Sequence, residues 1–445
     1  MAFKAMPVSM ANLPAQPLTS VDLDGLFAHA FAPYRHLLLA VSGGADSTAL
    51  LHLVIAWTRA HGASAPIVSV ATVDHGLRSG SAEEAAAVAQ MAADLDVPHA
   101  VLMWTGDKPT TGIQAAARTA RYKLLRAYVT AIGADALVLA HTEDDQAETV
   151  LMRLARGSGV EGLGGMAPVV VIDGMPIVRP LLDVPKAQLI ATLKAGRTTW
   201  IEDPSNQNTA FERVRWRNAF AHLADLGLTA DVVVESARRL RRAAVALDET
   251  TARALAPSAG VVAIDPLGVA AVHWPRLLDH PDEIRLRILT WLIERIGGAG
   301  VPVPLARLEA MTEGLDWRQP TGRTLGRVMF AADSASPDHV MLLREPGHVP
   351  PRAQMLVPGT SCVFDGRCTI ALSKQCSHDV TVAALGAQGL QQIIQAGALK
   401  PRAPVDALHA LPALWTGDHV LAAPHLGFAR APFDPAWVTA RWLLE

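Results

Sequence analysis

The sequence predicts an α/β fold: a parallel sheet covered by helices, then a helical region, then a small mixed α/β region at the carboxyl end. Three observations lead there. Between His36 and Asp145, short apolar runs alternate with helix-length stretches, the pattern of a parallel sheet covered on both faces. From Arg213 to about Arg253 the spacing becomes helical. Past Arg344 the texture changes: Pro346, Pro350, Pro351, Pro358 and Gly359 introduce short strand-like pieces. At 445 residues the chain exceeds what one hydrophobic core usually serves, so we place domains at 1–225, 226–335 and 345–445.

Taken in order, His36–Val41 (HLLLAV) is a fully apolar strand. Ser47–His61 carries apolar residues at helical spacing and stops at Gly62, a residue suited to the position after a helix. Ile67–Val73 is a second strand rich in β-branched residues; Glu83–Leu95 is helical and Ala100–Met103 is a shorter strand. Thr111–Gln114 matches a capping box that opens a helix to about Ile132. Ala136–Ala140 is the next strand, and Glu143–Arg156 the next helix, ended by Gly157. Glu283–Ile296 and Leu305–Leu315 read as amphipathic helices, and Thr369–Leu372 as a strand.

Half the residues are hydrophobic and 18% are charged, which suits folded domains rather than disorder. A net charge of −3 argues against a protein that coats nucleic acid indiscriminately. Arginine nevertheless clusters, at Arg118, Arg121 and Arg126, at Arg213, Arg215 and Arg217, and at Arg238, Arg239, Arg241 and Arg242, where solvated helix faces are the plainer explanation. Cys362, Cys368 and Cys376 form no CxxC pair and no even set, which fits a reducing cytosol and a cytoplasmic location. No apolar run reaches the roughly 18 residues that cross a bilayer, so no membrane partner is expected. The first 20 residues hold Lys4 but no continuous apolar stretch, and read as a loose leader.

Chemistry concentrates at strand ends. Ser42-Gly43-Gly44-Ala45-Asp46-Ser47 lies between the first strand and its helix. Two glycines let backbone approach an anion, and amides at the helix start point at it. Ser42 and Ser47 add hydroxyls, and Asp46 is the candidate Mg²⁺ contact; without a following Gly-Lys-Ser/Thr this is not a Walker A loop. The next strand ends in Thr72-Val73-Asp74-His75-Gly76-Leu77-Arg78, which places Asp74 and His75 at the same crevice. Arg118 and Arg121 share a helix face. In Ala140–Thr149, Asp144, Asp145 and Glu148 crowd one face near a helix start, more acids than capping needs and enough to hold Mg²⁺ or a cationic substrate.

Together these blocks resemble the tRNA(Ile)-lysidine synthases. The loop is similar to SGGxDS of the N-type ATP pyrophosphatases, the PP-loop superfamily, whose Rossmann-like domain cleaves ATP at the α-phosphate to adenylate a carbonyl oxygen. Thr72 to Arg78 matches HVDHGLR, Gly112 to Tyr122 resembles GxEAxARxxRY, and Ala140 to Thr149 resembles AHHxDDQAET, followed by Arg156-Gly157-Ser158-Gly159 for RGSG. Trp200 to Asn206, with Glu202 and Asp203, resembles WxEDxSN, and Phe211 to Arg217 resembles YxRNxxR. Two departures stand out: Thr142 replaces the second histidine, and Val214 the asparagine.

The resemblance implies ATP and Mg²⁺ as cofactors, with ATP bound by Ser42, Gly43, Gly44, Ala45, Asp46, Ser47, Asp74 and His75. It implies free L-lysine held by Asp145 and Glu148, so that Asp46, Asp145 and Glu148 become the candidate catalytic residues. Arg118, Arg121, Arg213, Arg217, Arg238, Arg239, Arg241 and Arg242 are candidate contacts to phosphate or tRNA, with tRNA(Ile) bearing a CAU anticodon as partner. The oligomeric state stays open, a homodimer among the options. Thiolating relatives need reactive cysteines, and residues 1–361 contain none. A small-molecule ligase of the same superfamily, and a non-catalytic nucleotide-binding module, stand as the alternatives.

Overall fold

The structure, a computed structural model, describes residues 15–77, 80–106, 108–172, 174–202, 209, 212–298, 303–313, 316–319, 323–333, 335–347, 351–377, 379–397 and 404–443. Of the residues singled out above, Lys4, Arg78, Asp203, Pro204, Ser205, Asn206, Phe211, Leu315 and Pro350 lie outside the described residues. The chain divides into two compact units, 1–245 and 246–445.

In the first unit α1 (Ser20–Phe31) leads into β1 (His36–Ala40), α2 (Ala45–His61), β2 (Ile67–Asp74), α3 (Ser81–Asp94), β3 (His99–Met103), α4 (Ile113–Ile132), β4 (Ala136–Val138) and α5 (Glu143–Leu154). There follow α6 (Val160–Leu163), the hairpin β5 (Val169–Ile172) and β6 (Met175–Val178), α7 (Lys186–Ala195), α8 (Glu212–Asp225) and α9 (Ala230–Leu255), which runs across the division between units. The sheet order is β3-β2-β1-β4-β6-β5, all parallel except the edge strand β5. The expected alternation is thus present, and the β5–β6 hairpin is an addition to it.

β1 is buried on both faces because its HLLLA run is apolar at every position after His36. One face meets α2, α7 and α1, where Phe27 and Phe31 stack at 5.2 Å and Trp57 meets both edge-on. The other face packs Leu38 and Leu137 against Leu125 and Val129 of α4. The chain steps outward from β1 through β2 to β3, then crosses to β4 on the other side, so a crevice opens at the carboxyl ends of β1 and β4. One local expectation fails: Thr111 does not cap α4, because Gly112 takes the N-cap position in a left-handed conformation (φ 66°) with no side-chain cap bond.

The second unit carries more sheet than its helical spacing announces. β7 (Val262–Ile264), β8 (Ala270–His273), α10 (Trp274–Leu278), α11 (Asp282–Gly297), α12 (Leu305–Glu313), β9 (Arg323–Leu325), β10 (Val328–Ala332) and β11 (His339–Arg344) build an antiparallel sheet of order β7-β8-β11-β10-β9. α11 covers it through Ile288, Leu292 and Ile296. Then come β12 (Gln354–Leu356), β13 (Ser361–Phe364), β14 (Cys368–Leu372), β15 (Val380–Ala384), α13 (Gly386–Gln395), α14 (Val405–His409), β16 (Pro412–Thr416), β17 (His419–Ala423), β18 (Phe428–Ala429) and β19 (Val438–Trp442). They form a five-stranded and a three-stranded antiparallel sheet, β12-β15-β16-β17-β18 and β13-β14-β19. Within this unit Asp365 in the β13–β14 turn binds Arg344 of β11 in two places, Nε to Oδ2 at 2.9 Å and a second nitrogen to Oδ1 at 3.1 Å, and takes Arg367 Nε at 2.9 Å. Arg327 lies 3.8 Å away.

Candidate active site

Three strand ends deliver the motif blocks side by side. β1 runs into the loop Ser42–Gly44 and α2; β2 ends at Asp74; β4 leads through His141 to α5. The loop is wound on itself: Ser42 N donates to Ser47 Oγ at 3.2 Å, Ser47 Oγ donates to Gly44 O at 3.1 Å, and Thr48 Oγ1 donates to Gly43 O at 3.0 Å. Gly43 sits at φ +88°, and a Cβ there would come 2.5 Å from Ile201 Cδ1 and 3.1 Å from Val88 Cγ2. Its carbonyl also accepts from Ile201 N at 2.8 Å, so the segment carrying Trp200–Glu202 is tied to the loop. No residue N-caps α2 by side chain, which leaves its first amides directed at the crevice.

Beside the loop a cavity of about 360 Å³ is lined by Ser42, Thr72, Asp74, His75, Gln114 and Arg121, among others. Asp74 closes the turn after β2 by accepting from Gly76 N at 2.7 Å, and its bond with Ser81, ahead of that one, holds its carboxyl below the ordinary range. Burial pulls the His75 imidazole down, and its ring meets Trp104 edge-on. Arg121 is the one of the α4 pair that lines the cavity. Burial lowers its pKa, and no carboxylate among the described residues pairs with it. Arg118 lies over the Tyr122 ring instead.

Past the loop stands the carboxylate cluster. Asp46 Oδ2 accepts from Lys186 Nζ at 2.8 Å, while Asp46 Oδ1 is buried without a hydrogen bond. Burial raises the Asp46 pKa, and Lys186 pulls it back. Asp144 fixes the base of that lysine by accepting from Lys186 N at 2.8 Å. Lys186 escaped the sequence reading, yet it carried a signal. It is the first residue of α7, where a cation opposes the helix dipole and needs an anion nearby.

Thr142, the departure from the family histidine, is the N-cap of α5 in a full capping box. Asp145 Oδ2 accepts from Thr142 N at 3.0 Å and from its Oγ1 at 3.2 Å. His141 beside it is half-buried with its Nδ1 enclosed and without a partner, and burial drives its pKa down. Glu148 Oε1 accepts from Arg217 Nε at 2.8 Å, Arg213 lies 3.8 Å from Glu148 Oε2 and 3.7 Å from Asp145 Oδ1, and burial raises the Glu148 pKa. The two arginines arrive because α8 and α9 pack on α5 through Trp216, Phe220, Val233 and Val234 against Ala147, Val150 and Leu151. Val214, the second departure, is buried on α8.

The basic run on α9 divides by face. Arg241 turns inward to the carbonyls of Gly164 and Met166, and Arg238 pairs with Asp183 at 2.8 Å. Arg239 pairs with Glu235 at 3.1 Å but is largely exposed, and Arg242 faces solvent.

Glu143 supplies a pH prediction. Its carboxyl opens α5, where burial, seconded by Asp144, raises its pKa to about 7 from 4.5. The folded chain therefore keeps a proton that the unfolded chain releases, so stability falls as pH climbs from about 4.5 through about 7. Glu143→Gln should stabilise the protein at pH 8 by on the order of 1–3 kcal/mol and change little near pH 4, below the unfolded value. Urea denaturation at both pH values checks this, and an equal effect at both refutes it.

Residues 19–223 match the family model described as a PP-loop domain. A tRNA(Ile)-lysidine synthase of Rhodopseudomonas palustris is 46% identical over 288 residues, covering 63% of this chain and 80% of the relative. One of Bradyrhizobium is 45% identical over 305 residues, covering 67% and 84%. One of Ruegeria pomeroyi is 38% identical over 402 residues, covering 89% and 90%.

Proposed function

Because the chain belongs to the tRNA(Ile)-lysidine synthase family, we propose how its own residues carry that family's reaction. It is an ATP-using ligase that modifies tRNA by forming lysidine. One observation carries the residue assignment: the SGGADS loop, the 360 Å³ cavity and the carboxylate cluster converge on the carboxyl edge of β2, β1 and β4.

We assign the cavity beside Asp74 and His75 to the nucleoside part of ATP, with Arg121 as a cation toward its phosphates, and residues 42–47 to the pyrophosphate. The C2 oxygen of the wobble cytidine attacks the α-phosphorus, and the bond to the β-phosphate breaks as pyrophosphate leaves. The ε-amine of lysine, its charge drawn in by Asp145 and Glu148, then attacks C2, and the C2–O bond breaks to release AMP. The amine must lose a proton on the way. Positioning and charge neutralisation supply most of such catalysis.

Mg²⁺ suits the residues present. Asp46 Oδ1 is a buried acceptor without a partner. Among the described residues no group of three or more His, Cys, Asp or Glu is arranged for a metal. One carboxylate completed by phosphate oxygens and water is the usual Mg²⁺ arrangement. When bound, the ion supplies charge neutralisation at the phosphates. Asp46 would hold it through Oδ1, while Lys186 anchors its other oxygen at 2.8 Å.

We assign residues 1–225 to catalysis and 226–335 and 345–445 to tRNA binding, and place the enzyme in the cytoplasm, a reading supported by three free cysteines. Among the described residues no helix is long and apolar enough to cross a membrane. Of the four clustered α9 arginines, Arg239 and Arg242 are exposed and not drawn to another element, so they are the ones offered to RNA phosphate. Arg242→Glu should weaken tRNA binding and lower its salt slope by about 1, leaving ATP binding intact. Unchanged tRNA affinity takes Arg242 out of the interface.

The defining experiment is ATP-dependent transfer of radiolabelled lysine to unmodified tRNA(Ile) with a CAU anticodon, with tRNA(Met) as control. Label on the isoleucine tRNA alone is the expected result. Pyrophosphate release without tRNA would instead indicate a small-molecule ligase.

A further inference from the structure

Two of the assignments above draw on the same charges. Asp145 and Glu148 are given to the lysine ammonium and Arg213 and Arg217 to phosphate, yet these four side chains pair with one another. Arg217 Nε meets Glu148 Oε1 at 2.8 Å, and Arg213 reaches Glu148 Oε2 at 3.8 Å and Asp145 Oδ1 at 3.7 Å. The partners are unequal in burial. The Glu148 side chain is 5% exposed and that of Asp145 19%, against 40% for Arg213 and 47% for Arg217. Asp145 is further pinned by the Thr142 cap. The acids are therefore fixed on α5, and the guanidiniums reach them from the solvent side.

A lysine ammonium entering this cluster meets two guanidiniums already on its carboxylates, and like charges at such range repel. Removing the arginines without a substitute would strand a buried carboxylate. Both difficulties vanish if the cations are exchanged one for another.

We propose that Arg213 and Arg217 are exchangeable counter-ions, which hold Asp145 and Glu148 until a phosphate group draws the guanidiniums away and the acids pass to the lysine ammonium. This rests on the reading that those acids bind lysine. Guanidinium matches phosphate in a two-pronged geometry, so the arginines have a second partner of the right chemistry. Arg213 and Arg217 stand four residues apart on one face of α8, whose backbone is held by Trp216 and Phe220. Only side chains need move. The phosphate can come from ATP or from the RNA backbone.

The exchange couples the two ligands: phosphate ligands strengthen lysine binding, and by reciprocity lysine strengthens theirs by the same factor. Equilibrium dialysis of radiolabelled lysine with the full chain reads this directly. Four arms are run: protein alone, with the α,β-methylene analogue of ATP and Mg²⁺, with a tRNA(Ile) transcript, and with both. Lysine affinity should rise about tenfold or more in at least one ligand arm, and that arm identifies the phosphate source. Equal affinity in every arm overturns the exchange.

The double variant Arg213→Gln/Arg217→Gln should bind lysine equally with and without phosphate ligands; full coupling in that variant also overturns the exchange. The wild-type arms decide the matter even if the double variant fails to fold. Glu148→Gln separates the exchange from its foundation. Unchanged lysine affinity in that variant removes the lysine assignment itself. Weakened affinity there, with equal affinity across the wild-type arms, removes only the exchange.

Discussion

Asp46→Ala is expected to lower tRNA-dependent pyrophosphate release by on the order of 10²–10³-fold, with the loss in kcat. The carboxylate is held at the start of α2 by Lys186 at 2.8 Å on one oxygen, and its other oxygen is buried without a partner. Burial raises its pKa and the Lys186 cation opposes that shift. A buried carboxylate with a specific cationic partner, beside a phosphate loop, is a functional candidate on physical grounds. Folding should survive the change, because Lys186 is 39% exposed and can turn to water. Asp46→Asn keeps an acceptor for Lys186 but no charge, and should fall nearly as far. Activity near wild type in Asp46→Asn would mean that the position requires an acceptor rather than a charge; in Asp46→Ala it would remove the residue from the chemistry.

The largest stability effect should come from the other unit. Asp365 is 4% exposed and answers Arg344 and Arg367, themselves 7% and 3% exposed. Burial lowers the Arg367 pKa to about 10 even with that carboxylate alongside. Arg367 also donates to Ala410 O at 2.7 Å. Asp365→Asn preserves a side chain that tolerates the left-handed turn (φ 53°) but strands two buried guanidiniums. Breaking a buried ion pair in this way typically costs about 3–5 kcal/mol. In urea the second unit should unfold earlier while ATP binding by the first persists. A midpoint unchanged from wild type would show that water reaches these arginines.

What the sequence discloses and what it hides follow from the range of the interactions. HLLLA and IVSVATV are apolar over a whole strand, and a Ser-Gly-Gly turn between strand and helix is a local signal, so the parallel sheet and the loop at its edge are legible. The strands of the second unit are two to six residues long, and the spacing that marks α11 and α12 masks the sheet they cover. Lys186 reaches Asp46 across 140 positions, and no spacing rule encodes that pair. Arg213 and Arg217 are visible as cations, and Asp145 and Glu148 as acids. That they neutralise one another depends on α8 packing against α5, a tertiary fact. The Thr111 box fails for a local reason, since Gly112 adopts a left-handed backbone that takes over the start of α4.

Gly43 has a consequence for how this lineage can change. Two conditions weigh against a side chain there: the backbone stands at φ +88°, and the tip of Ile201 would have to shift to admit a Cβ. Trimming Ile201 relieves the crowding but leaves the backbone conformation, which L-residues rarely adopt. No substitution of Ile201 alone frees the position, because the left-handed backbone would have to change with it. Under drift, glycine is therefore expected to persist there for as long as the loop keeps this winding.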